Sequence, residues 1–143
     1  MEAITIIYWS QTGNTKAMAQ AVAQGIEEAG KHANLLEVSA AAPELLKEDR
    51  VFALGCPAMG GEVLEEDEME PFVTKMEPFV SGKVIGLFGS YGWGDGQWMR
   101  DWEERMTASG AKIQGGAGVI CQETPDEEAL EQCRELGKAL GSI

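Results

Sequence analysis

A chain of 143 residues can bury a core of its own, since a domain of this size removes about 68–70% of its extended surface from water without a disulfide or metal staple. The composition, 44% hydrophobic and 24% charged, is that of a soluble globular protein. Eleven Lys plus Arg against 24 Asp plus Glu leave a formal charge of −13, which argues against nucleic acid and anionic membranes and favours basic partners.

The first predicted element is a strand over 4–9, "ITIIYW", β-branched, aromatic and apolar on both faces. The polar turn "SQTGNT" (10–15) separates it from a helix in which Met18, Val22, Ile26 and Ala29 recur at helical spacing and Gly30 marks the end. "ANLLEVS" (33–39) alternates and predicts a second, half-exposed strand. "RVFALGCP" (50–57) predicts a third, buried strand that Pro57 stops. An acidic stretch with two glycines, "AMGGEVLEEDEMEP", precedes a short helix around "PFVTKM", with Pro71 near its first turn. "KVIGLFGS" (83–90) reads as a fourth strand running into the loop "YGWGDG". In "QWMRDWEERMTASG", Trp98, Trp102, Arg105 or Met106, and Ser109 mark one helical face. "KIQGGAGVIC" (112–121) predicts a fifth strand, weakened by its glycines. The last helix, in "TPDEEALEQCRELGKALG", is expected to bury Leu130, Cys133, Leu136 with Gly137, and Leu140. Its acidic residues come first and Arg134 and Lys138 later, as the helix dipole prefers.

Strands alternating with helices predict an α/β fold: a doubly wound, five-stranded parallel sheet with helices on both faces, because parallel neighbours need right-handed helical crossovers. No linker, repeat or low-complexity segment divides the chain, so one domain over 1–143 is expected. Glu2 stands where a signal peptide would be basic, and no apolar run approaches the roughly 20 residues of a membrane span. Cys56, Cys121 and Cys133 show no C-x-x-C spacing, which speaks against a zinc site or disulfide framework and suits a reducing cytoplasm. His32, the only histidine, supports neither a catalytic triad nor a multi-histidine metal site and is expected at the surface. The acidic run after the third strand lacks the calcium-loop pattern and is expected to form a solvated helix start and docking rim.

In a doubly wound sheet, ligands bind at the carboxyl ends of the strands beside the topological switch point. Three unusual stretches fall there: "SQTGNT", "CPAMGGE" and "SYGWGDG". The first suits an anion. Unpaired N–H groups at a helix N-terminus carry the positive dipole end, Ser10, Thr12 and Thr15 add hydroxyls, Asn14 an amide, and Gly13 lets the backbone approach. The same residue types also serve as ordinary helix caps, so this loop alone decides nothing. It matches neither G-x-x-x-x-G-K-[ST] nor G-x-G-x-x-G, so a nucleoside triphosphate or dinucleotide is not indicated. The other two loops add flat surfaces: Trp93 between Gly92 and Gly94, and Met59 beside Gly60 and Gly61, are placed to clamp an aromatic ring. Trp98 and Trp102, four residues apart on a helix, are expected in the core. A phosphate cradle joined to a ring clamp describes a site for flavin mononucleotide (FMN).

With "YWSQTGNT", "GCPAMGGE" and "GLFGSYGWG", the chain resembles the flavodoxins, in particular the short-chain type of anaerobic bacteria, over its whole length. The resemblance implies the flavodoxin-like strand order 2-1-3-4-5 and a low-potential one-electron carrier shuttling between semiquinone and hydroquinone. Ser10, Gln11, Thr12, Gly13, Asn14 and Thr15, with Ser90, would hold the phosphate. Trp93 and Met59 would cover the two ring faces, and Glu62 would accept from the ring N3–H. The Gly60–Gly61 peptide would turn its carbonyl to flavin N5. Pro57, Ala58, Tyr91, Gly92 and Gly94 complete the implied site, with no catalytic residue and no metal ligand. Relatives usually carry Asp or Ser where this chain has Gly61, which predicts a more pliable turn and a less stabilised semiquinone. The loop "CQETPD" (121–126) matches the family weakly and is left out of the implied site.

An acidic surface disfavours the anionic, fully reduced flavin. One negative charge about 10 Å away at an effective dielectric near 20 costs about 1.7 kcal/mol, or roughly 70 mV in a one-electron couple. The surface would also steer basic faces of redox partners into transient encounters with a monomer. A receiver domain shares the sheet order but needs acidic residues at the first and third strand ends, which here read "YWS" and "GCP". The better rival is an FMN-dependent NAD(P)H or quinone reductase. That function would need room over the flavin, which a tryptophan on one face denies.

Overall fold

The computed structural model describes residues 3–143. Strand β1 (Ala3–Tyr8) lies between β2 (His32–Glu37) and β3 (Val51–Gly55), and β4 (Val84–Tyr91) adds beside β3, every pairing parallel. The order is 2-1-3-4-5, as the resemblance implies. Two details differ from the sequence reading. The second strand stops at Glu37, and Val38–Ala40 turns as a short 3-10 segment. The expected fifth strand is two pieces, β5 (Lys112–Ile113) and β6 (Val119–Gln122), pairing with the first and second halves of β4. Gly115 and Gly116 cause the break: their φ values of +79° and +81° are left-handed and cannot continue a strand.

Helices α1 (Asn14–Glu28) and α4 (Glu127–Gly141) cover one face of the sheet, α2 (Met69–Met76) and α3 (Gln97–Ala108) the other. The two-residue period of a strand sorts the side chains between the layers. Ile4, Ile6 and Tyr8 pack with Met18, Val22, Ile26 and Leu140, whereas Ile7 packs with Phe52, Leu54, Trp98 and Trp102. Each fully buried aliphatic side chain contributes about 1.5–3 kcal/mol, so a strand covered on both faces is apolar almost throughout. Trp98 and Trp102 are buried as expected, each about 1% exposed.

Both helix pairs are tied by specific contacts. A Cβ on Gly25 would stand 2.0 Å from the Arg134 carbonyl oxygen, and one on Gly137 2.0 Å from that of Val22, so α1 and α4 touch backbone to backbone. Between α2 and α3, Arg105 donates to both Glu70 carboxylate oxygens at 2.8 and 2.6 Å and to Glu77 at 3.2 Å.

The topology places the functional end. Strand β1 leads into α1 on one face and β3 into α2 on the other, so the loops leaving these neighbours diverge and open a crevice at their carboxyl ends. Main-chain bonds carry the pairing past the strand ends, from Trp9 N–H to Gly55 O (3.0 Å), Cys56 N–H to Phe88 O (3.1 Å) and Ala58 N–H to Ser90 O (2.9 Å). Among the described residues, no helix is long and apolar enough to cross a membrane, and no cluster of His, Cys, Asp and Glu could hold a metal ion.

Candidate functional site

The loop after β1 ends in Gly13, which occupies the N-cap position of α1 with φ +95° and offers no side-chain cap. Ser10 Oγ accepts from Gly13 N–H (3.1 Å) and Lys16 N–H (3.3 Å). The N–H groups of Asn14 and Thr15 find no partner among the described residues. No acidic residue stands in this first turn. Helix α4 is the counterexample within the same molecule: Asp126 caps it, accepting from Ala129 N–H at 2.8 Å, and Glu127 and Glu128 occupy its first turn. One helix start satisfies itself; the other is left open to an anion.

Buried hydroxyls extend this cradle. Thr15 and Ser90 are 1% and 5% exposed, and their hydroxyl oxygens lie 3.4 Å apart, joining the first loop to the end of β4. They border a cavity of about 220 Å³ lined by Ser10, Gln11, Thr12, Asn14, Thr15, Pro57, Ala58, Met59, Ser90, Tyr91 and Gly92. All of these belong to the three loops singled out from the sequence. The cavity has one further lining residue, Glu123, from the loop "CQETPD" that the sequence reading left aside. Glu123 N–H donates to Tyr91 O at 2.7 Å and Gln122 Nε2 to Gly92 O at 3.4 Å, so this fourth loop is stitched to the third. The signal was topological: the segment follows the last strand, at the same end of the sheet.

Gly13, Gly60, Gly61, Glu62, Trp93 and Gly94 stand outside that lining, on the same three loops. Met59 to Glu62 form a turn closed by Glu62 N–H on Met59 O (2.9 Å). With φ +79° at Gly61, its third position, the turn is of type II. Glu62 is itself left-handed, φ +53°, a region that non-glycine residues enter at a cost. Its Oε1 accepts from Asp95 N–H at 3.1 Å, linking the second loop to the third. Gly94 makes room: a Cβ there would stand 1.9 Å from that oxygen. Trp93 is 63% exposed, an indole displayed rather than packed. Trp98 has a polar task the sequence did not reveal, donating from Nε1 to Cys56 O (3.1 Å) under the second loop.

Burial pushes the Cys56 and Cys133 thiols up to about 12 and that of Cys121 up to about 11. His32 is exposed, 4.0 Å from Glu27 Oε2. A larger cavity, about 450 Å³, lies at the opposite end of the sheet among Ala3, Glu48, Arg50, Val84 and Ile143. It meets none of the loop motifs, whereas doubly wound sheets take their ligands at the carboxyl ends of the strands.

The flavodoxin family profile matches residues 6–137. The chain belongs to the flavodoxin family. It is 52% identical to the flavodoxin of Clostridium beijerinckii over 139 residues, 96% of this chain and 99% of that one. To the flavodoxin of Megasphaera elsdenii it is 43% identical, covering 95% and 96% of the two chains. The solution structure of the two-electron reduced Megasphaera elsdenii flavodoxin superposes with a TM-score of 0.90 at 40% identity, over 98% of this chain and 99% of that one. This flavodoxin is of the short-chain kind, an FMN-containing low-potential electron carrier rather than an enzyme. The donor set fits that cofactor: open helix N–H groups and buried hydroxyls suit a phosphate, and an exposed indole suits a flat ring.

Proposed function

We propose that the four-loop rim binds FMN and that the protein passes electrons one at a time between redox partners presenting basic faces. The observation that carries this reading is the convergence of anion-binding groups from separate loops on one cavity, with a displayed tryptophan next in sequence to its lining residue Gly92. Bound FMN supplies the redox chemistry; the protein sets its position and electrostatics. Ser10 to Thr15 and Ser90 hold the phosphate through main-chain N–H groups and hydroxyls. Trp93 and Met59 cover the ring faces and keep water from them.

Glu62 takes the ring imide N–H. Its carboxylate already accepts from Asp95, but an ionised carboxylate offers about four lone-pair sites and retains capacity. The Gly60–Gly61 peptide would turn its carbonyl toward the ring N5 position of bound FMN. Gly61 carries the positive φ of the present turn, and glycine at the preceding position leaves the reversed peptide open.

Docking falls to the exposed acidic residues beside the second loop, Glu66 and Asp67 among them. Glu65 is excluded from that task. It is buried, its carboxylate accepting from the N–H groups of Asp67, Glu68 and Met69 at the start of α2. A monomer in the cytoplasm, where its three free thiols stay reduced, completes the reading.

The test is an anaerobic reductive titration of the FMN-loaded protein, followed by its visible spectrum and by electrode potential. Two resolved one-electron steps are expected. A single two-electron step would overturn the reading in favour of a reductase.

A further inference from the structure

Arg100, on α3, belongs neither to the cavity lining nor to any loop expected to touch the cofactor. Its guanidinium reaches back to the end of the Trp93 loop. Nη1 donates to Asp95 O at 3.0 Å, and Nη2 donates to Asp95 Oδ1 and to Gln97 Oε1, each at 2.9 Å. Gln97 is held in turn, its Nε2 donating to Asp101 Oδ1 at 2.8 Å. Asp95 is therefore gripped through both its carbonyl and its carboxylate, and its N–H is the group that meets Glu62 Oε1. The contact is tightly specified from the other side as well, by the left-handed backbone of Glu62 and the missing Cβ of Gly94.

The side chains of Arg100 and Asp95 are 50% and 79% exposed, so their ion pair contributes little to global stability. A planar fork that spans two acceptors adds geometric specificity as well as energy. We propose that Arg100 is a positioning residue for flavin binding: by gripping Asp95 it fixes the N–H that aims the Glu62 carboxylate. The inference rests on the reading above, in which Glu62 touches the ring. Its effect is preorganisation, ordering the ring side of the site before the cofactor arrives.

The experiment compares the native protein with Arg100→Ala, Arg100→Lys, Glu62→Ala and the Arg100→Ala/Glu62→Ala double variant. The readouts are the FMN Kd, both one-electron potentials and, in the cofactor-free protein, amide exchange at Asp95. Arg100→Ala is expected to raise Kd about fivefold and to speed Asp95 exchange by a similar factor. Arg100→Lys keeps the charge but loses the fork, and is expected to resemble Arg100→Ala. In the Glu62→Ala background, loss of Arg100 should change Kd less than about twofold, because the coupled partner is already gone.

Full recovery of native Kd by Arg100→Lys would reduce Arg100 to a charge and overturn the proposal. So would additive losses in the double variant, or a shift with Glu62→Ala but none with Arg100→Ala. If Glu62→Ala itself leaves Kd and both potentials unchanged, the assignment of Glu62 to the ring fails, and the positioning role falls with it.

Discussion

Trp93 keeps 63% of its surface exposed, so the folded chain gains little from it and the ligand much. Trp93→Ala is expected to leave the thermal stability of the cofactor-free protein within about 0.5 kcal/mol of native. The same change should weaken FMN binding by about 1–2 kcal/mol, roughly 5- to 30-fold, read by fluorescence titration. Gly61 is the opposite kind of residue, valued for what it lacks. Its φ of +79° is left-handed, yet a Cβ there would meet nothing within 4 Å. An aspartate is therefore accommodated at the cost of about 1 kcal/mol of backbone strain, Asp being among the residues that tolerate this region best. Since the second glycine leaves the turn pliable, Gly61→Asp is expected to widen the gap by which the first one-electron potential lies above the second. Spectroelectrochemistry of both proteins measures it, and an unchanged or narrower gap would refute the pliable-turn argument. The displayed ring was legible in the sequence because glycines flank it. Glu123 was not: its part in the site depends on a left-handed φ of +59° and a bond to Tyr91, neither of which its residue type announces.

Between elements, the contact of α1 with α4 can be tested by the sign of one substitution. In an isolated helix Gly→Ala gains about 1 kcal/mol. At Gly137 the new Cβ would fall 2.0 Å from the Val22 carbonyl oxygen, so Gly137→Ala is expected to lose about 2 kcal/mol instead, seen as a lower urea midpoint. The α2–α3 clamp can be tested by pH. The hydrogen bond from Arg105 holds the Glu70 carboxyl below its ordinary value of 4.5, against the opposing effect of burial. A lowered folded-state pKa stabilises the protein above the unfolded value, and that contribution is lost as pH falls through the folded one. Below about pH 4.5, Glu70→Gln should therefore lose stability less steeply than the native chain. At neutral pH it should be less stable by about 0.5–1 kcal/mol, the Glu70 side chain being 40% exposed and screened by solvent. Element types and core faces were readable from periodicity alone. The fifth strand was not, because its period gives no sign that two consecutive glycines turn left-handed and divide it.

For the whole molecule, the formal charge of −13 governs encounters. Electron transfer to a cationic acceptor protein is expected to slow at least about tenfold between low salt and about 0.5 M, as screening shortens the reach of the acidic face. Stopped-flow rates across a salt series measure this, and a flat or rising profile would deny a basic partner.

The sequence by itself determined the layered α/β architecture, since strands apolar on both faces alternate with amphipathic helices and have few other ways to bury themselves. It also determined the family, and with it the cofactor, because the anion-binding loop and the glycine-flanked tryptophan are local features. Only the tertiary structure decided which groups meet across distance. It set Thr15 against Ser90, Trp98 under Cys56, Glu62 against Asp95, and Arg100 behind them. A hydrogen bond between residues tens of positions apart depends on strand register and on left-handed backbone at a few sites. Spacing carries no record of the first, and at Glu62 and Glu123 residue type gives no sign of the second.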